Sequence, residues 1–113
     1  MTSTLIINQF AALIKLDKNF PENLSRLKEK GDAIIEKLGL TVFGQNHFEF
    51  TPQGITLAYI LSQSHLVLHT WPELNVLHVD LMTCVPLEKD KVEGILRQVF
   101  VEEKIVEFNF KEV

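Results

Sequence analysis

Between Phe50 and Cys84 the chain sets hydroxyl, imidazole, carboxylate and thiol groups into otherwise apolar segments: Thr56, Ser62, Ser64, His65, His69, Trp71, Glu73, Asp80 and Cys84. Such groups are costly inside apolar strands unless they are hydrogen-bonded or put to use. Taken singly, each histidine reads as a partly buried strand residue with its hydrogen bonds satisfied. Taken together, the groups offer two chemistries. His65, His69 and Cys84 supply the nitrogen and sulfur ligands that zinc takes. Their spacing fits no zinc signature, and on a strand His65 and His69 stand too far apart to converge easily. Ser64, the adjacent histidine and Asp80 are the residue types of a nucleophilic triad. No glycine pattern of a nucleophile elbow surrounds Ser64.

The elements that must position these residues follow from hydropathy. Thr4 to Ile14 is apolar and rich in isoleucine, and predicts a first strand. Asp17 to Phe20 is a turn. Pro21 then stands where a first helical residue belongs, with Glu22 in the first turn. Leu24, Leu27, Ile34, Ile35 and Leu38 form one helical stripe, and Gly39 closes the helix. Strand-like segments follow at Thr41–Phe50, Ile55–Leu61, His65–Trp71 and Val76–Cys84, with a turn at Pro52 and Gly54. Alternation places His65, Val67, His69 and Trp71 on one face, and His78, Asp80, Met82 and Cys84 together on another strand. Pro86 precedes a second helix with the stripe Val92, Ile95, Leu96 and Val99. Ile105–Phe110 is a last strand. The order β-α-β-β-β-β-α-β, with short links between the middle strands, predicts a two-layer α/β sandwich of α+β type. Its sheet is mainly antiparallel, with two helices on one face. The other face must be covered or carry a site.

Composition limits the function classes. The 113 residues predict a single domain, 1–113, with a small core that oligomerisation would supplement. Fifteen acidic against eleven basic residues give a net charge of −4, with no basic patch for nucleic acid. One cysteine excludes an intramolecular disulfide. No apolar run reaches the length of a membrane span. Met1 to Thr4 lacks the basic start of a signal peptide, so the expected location is the cytoplasm.

Gln63-Ser64-His65, His69-Thr70-Trp71-Pro72-Glu73 and Asp80-Leu81-Met82-Thr83-Cys84 closely resemble the prokaryotic S-adenosylmethionine decarboxylase proenzyme family. That family carries a Ser-His pair, HTWPE and an Asp-x-x-Thr-Cys segment at these separations. Phe50-Thr51-Pro52-Gln53-Gly54-Ile55-Thr56 matches its phenylalanine and Pro-x-Gly-x-Ser/Thr turn. The resemblance is specific over about residues 48 to 85. It implies a proenzyme that cuts itself between Gln63 and Ser64, giving a β chain 1–63 and an α chain 64–113. The Ser64 hydroxyl attacks the Gln63 carbonyl, elimination follows, and hydrolysis leaves a pyruvoyl group at position 64. No metal and no pyridoxal phosphate are required. The pyruvoyl carbonyl forms a Schiff base with a substrate amine and draws electrons as carbon dioxide leaves.

The resemblance also implies roles for the neighbours. Cys84 returns a proton to the substrate carbon, His69 assists processing, and the Thr56 hydroxyl stabilises the processing intermediate. Phe50 stacks on adenine, Glu73 accepts hydrogen bonds from ribose hydroxyls, and Trp71 lines the pocket or anchors its strand. The expected partners are a small-molecule substrate and a second copy in a homodimer, with neither nucleic acid nor membrane, and the pathway is polyamine (spermidine) synthesis. The chain departs from the family at Gln63, where glutamate or serine is usual. Its first strand reads Thr-Leu-Ile-Ile-Asn-Gln-Phe, without the usual histidine and nearby acid. Its C-terminal end lacks the common Arg-Gly. Two alternatives stay open: the same chemistry on ornithine or arginine, and a non-catalytic regulatory paralogue that stays uncut.

Overall fold

A computed structural model describes residues 5–113. The elements are β1 (Asn8–Leu16), α1 (Leu24–Leu38), β2 (Gly44–Glu49), β3 (Ile55–Ile60), β4 (His65–Trp71), β5 (Val76–Thr83), α2 (Lys89–Val99) and β6 (Ile105–Glu112). A short 3-10 turn, Pro72–Leu74, joins β4 to β5. The strands form one sheet in the order β2-β3-β4-β5-β1-β6, antiparallel at every pairing.

The period-two pattern sorts the sheet into two faces. Phe10, Ala12, Ile14, Leu57, Tyr59, Leu66, Leu68, Leu77, Val79 and Leu81 are buried, together with the stripes of both helices except Leu24, which is partly buried. Each buried Leu, Ile or Phe contributes roughly 1.5–3 kcal/mol relative to an exposed one. On the opposite face β3, β4 and β5 present Thr56, His65, Val67, His69, His78, Asp80 and Met82, all only partly buried. One close fit locks α1 to the sheet. A Cβ at Gly31 would fall 2.5 Å from the Tyr59 hydroxyl oxygen. That hydroxyl donates to Asp32 Oδ1 at 2.9 Å. Burial and then Asp32 raise the phenol above its ordinary pKa, so it stays a donor.

The differences from the sequence reading are at element ends. The first strand begins at Asn8, where pairing with β5 starts opposite Thr83, and it runs to Leu16. Leu5–Ile7 precede the strand, and Thr4 lies outside the described residues, as do the others of Met1–Thr4. Helix α1 starts at Leu24 rather than Pro21, because the Asn23 side chain accepts from the Arg26 N–H at 2.9 Å and caps it. Gly39 closes α1 at φ 71°, as its position predicts. Strand β5 stops at Thr83, so Cys84 is not held to the alternation of that strand.

Candidate active site

Strand β4 carries the site residues at both of its ends. At its start, Leu61 and Ser64 close a two-residue hairpin. The Leu61 N–H donates to the Ser64 carbonyl at 2.8 Å, and the Ser64 N–H donates to the Leu61 carbonyl at 3.1 Å. Ser62, inside that turn, sits at φ 64°, a conformation that strains a residue with a Cβ. Ser64 is a buried residue, 7% exposed. Its hydroxyl oxygen accepts from the Cys84 N–H at 3.1 Å and donates to Cys84 Sγ at 3.7 Å. Ser64 and Cys84 line a cavity of about 270 Å³ with Gly39, Leu40, Phe43 and Leu61. The two residues therefore meet, although the thiol was expected beside Asp80 and Met82 by alternation. His65 turns to the open face and pairs with Asp80, its Nε2 lying 3.1 Å from Oδ2. The Ser64 hydroxyl is thus engaged by Cys84 rather than by the adjacent imidazole, which removes the triad reading.

At the far end of β4, Phe50, Thr56, His69, Trp71 and Glu73 line a second cavity of about 460 Å³, with Gln53 and Gly54. The Phe50 N–H donates to the Gly54 carbonyl at 2.8 Å and folds the turn over this cavity. Thr56 stands opposite His69 across β3 and β4. Its Oγ1 lies 2.8 Å from His69 Nδ1, a side-chain hydrogen bond. His78 stands opposite His69 on the other side, ring centres 6.4 Å apart. Burial lowers the His69 pKa below its ordinary value, and the facing His78 lowers it further, with Asp80 partly opposing. A neutral imidazole keeps one nitrogen able to accept a proton. His69 lies five positions beyond Ser64, which on a strand is about 16 Å. The predicted catalytic residues are accordingly brought together in two pairs, Ser64 with Cys84 and Thr56 with His69, and the pairs do not meet within one copy.

Comparison with known proteins settles the family. The S-adenosylmethionine decarboxylase family profile matches residues 9–111. The chain belongs to that family. It is 30% identical over 84 residues to an S-adenosylmethionine decarboxylase proenzyme of Aquifex aeolicus, a match covering 74% of this chain and 62% of the relative. It is 36% identical over 75 residues to the proenzyme of Thermodesulfovibrio yellowstonii, covering 64% of this chain and 56% of that one. The matched stretches thus span little more than half the length of these curated relatives. A crystal structure of the adenosylmethionine decarboxylase of Aquifex aeolicus superposes with a TM-score of 0.77 at 21% identity, covering 99% of this chain and 91% of that one. At that identity the superposition establishes the fold.

Within this S-adenosylmethionine decarboxylase fold, two further residues belong to the site's surroundings. Gln9 of β1 donates from Nε2 to Asp80 Oδ1 at 3.1 Å, so both oxygens of that carboxylate are engaged. His78, read from sequence as a structural or surface residue, faces His69 and helps to lower its pKa. Alternation already put His78 and Asp80 on one face of β5. The missing signal was the register, which sets them across from β4 and β1. No described helix is long and apolar enough to cross a membrane.

Proposed function

We propose that this chain is a self-processing decarboxylase whose substrate is S-adenosylmethionine, cut between Gln63 and Ser64 and working through a pyruvoyl group formed from Ser64. The observation that carries the reading is the buried Ser64 hydroxyl, held by the Cys84 N–H beside a strained hairpin residue, in a chain of this family. Ser64 Oγ forms an ester bond to the Gln63 carbonyl carbon as the peptide C–N bond breaks. Loss of the residue-64 Cα proton then breaks the Cβ–O bond. Oγ departs in the new Gln63 carboxylate, and water replaces the nitrogen, which leaves as ammonia. The residues fit the group, because the hydroxyl required is present and a thiol lies 3.7 Å from it. Once formed, the group supplies a carbonyl that takes up electrons when an α-carboxylate is lost. Cys84 holds the proton returned to the substrate at Sγ. Phe50, Trp71 and Glu73 line the pocket for the nucleoside, with Glu73 accepting from its hydroxyls.

The separation of Ser64 from His69 supports a homodimer. A second copy that sets its Thr56–His69 end against the Ser64–Cys84 end completes both sites at once, the reciprocity of a two-fold interface. Intact-protein mass spectrometry of the purified chain tests the processing. Two fragments divided at Gln63 and Ser64 are expected, the second lighter by one ammonia than simple hydrolysis gives. A single chain of 13.0 kDa refutes it and favours an uncut regulatory protein. Carbon dioxide release from S-adenosylmethionine, ornithine and arginine, measured side by side, tests the substrate. Release from ornithine or arginine alone overturns the assignment.

A further inference from the structure

On the open face of the sheet three strands meet at one carboxylate. Asp80 of β5 engages His65 of β4 through Oδ2 and Gln9 of β1 through Oδ1, each at 3.1 Å. His65 and Gln9 both stand opposite Met82, on its two sides. Asp80, two residues along, faces Val67 and Ala11 and reaches back to both. The pair is partly exposed, His65 by 38% and Asp80 by 27% of the side chain. Such a pair contributes little to global stability. Its effect is therefore local, at the start of β4.

That start is where the proposed cleavage does most damage. In the intact chain the hairpin holds residue 64 covalently. Four hydrogen bonds surround it: Ser64 N–H to Leu61, Leu61 N–H to Ser64, and the two between Ser64 Oγ and Cys84. Processing consumes the atoms behind three of them. The nitrogen leaves as ammonia, and Oγ departs in the Gln63 carboxylate. Only the bond from the Leu61 N–H to the residue-64 carbonyl survives. His65 is the first residue whose side chain the chemistry leaves intact. It is tied through Asp80 to Gln9, which belongs to the other fragment.

We propose that the His65–Asp80–Gln9 clasp positions the new chain end after cleavage, a task the covalent hairpin performs before it. These are positioning residues, and the proposal rests on the cleavage reading above. Hydrogen–deuterium exchange of peptides covering residues 65–71 tests it, in cut wild-type protein and in uncut Ser64→Ala, each with and without Asp80→Ala. Alanine fits a row already lined by Val67 and Ala11. In cut protein Asp80→Ala is expected to speed exchange at the start of β4 about tenfold, and in uncut protein less than about threefold. His65→Ala severs the β4 arm alone and is expected to repeat the pattern. An equal effect in cut and uncut protein marks an ordinary structural contact and overturns the proposal, as does no effect in cut protein. Wild type that stays a single mass refutes the cleavage itself and takes the clasp with it. That outcome is read before any exchange is measured.

Discussion

The two ends of β4 are built from different groups. At the start, a buried serine is gripped by a backbone N–H and a thiol beside a residue at positive φ. At the finish, His69 bonds to Thr56, faces a second imidazole and opens onto a cavity with Phe50, Trp71 and Glu73. The first end sets a buried serine next to one peptide bond. The second has aromatic rings to stack on and a carboxylate to accept from hydroxyls. About 16 Å of strand divides them. A strand spaces side chains rigidly, so neither end can borrow the other within one copy. On the proposed function, cleavage and substrate binding both need groups from the two ends, and a second copy would bring them together.

The contrast breaks most completely at Ser64. Ser64→Ala is expected to abolish cleavage altogether, leaving one mass by intact spectrometry. A clean cut in that variant removes the serine from the nucleophile's role. His69→Ala is expected to slow cleavage about a hundredfold, within the range of a lost acid or base. Co-expressed with Ser64→Ala it should recover, because mixed dimers pair a working Ser64 with a working His69. Only the His69→Ala chain is then cut. No recovery shows that each copy processes alone. Glu73→Gln is expected to leave cleavage unchanged and raise KM about tenfold, the order of one charge-assisted hydrogen bond. A slowed cleavage instead places Glu73 in processing.

The smallest effect is on stability. His69 has a lowered pKa in the fold, so the unfolded chain binds more protons as pH falls through the ordinary value of 6.5. Stability present above that pH is lost below it, until folded His69 protonates as well. Thermal midpoints followed from about pH 7.5 to 5 should fall less steeply in His69→Gln than in wild type. Identical slopes assign the loss to other groups.

Much of this arrangement was legible in the residues. Alternation along β4 put His65, His69 and Trp71 on one face, and the apolar stripes gave both helices. The motif spacing gave the family. The 16 Å gap was legible too, since five residues of strand fix it, although the motif reads as one site. Register was not legible, because it depends on which strands neighbour one another. Nothing in the order of the chain says that β1 inserts beside β5, and so nothing announced that Gln9 meets Asp80. Nor does alternation show where a strand stops. The end of β5 at Thr83 is what frees Cys84 to meet Ser64.

The strand order has a mechanical consequence for a cut molecule. Residues 1–63 carry β1, α1, β2 and β3, and residues 64–113 carry β4, β5, α2 and β6. In the sheet, β1 lies between β5 and β6, and β4 lies between β3 and β5. The two pieces are dovetailed rather than laid side by side: a tongue from the first is slotted between two strands of the second. To part them, β1 must be stripped along both edges while β3 is peeled from β4. Severing the backbone at one loop therefore leaves a joint that holds without glue, and the halves separate only when the fold itself is undone.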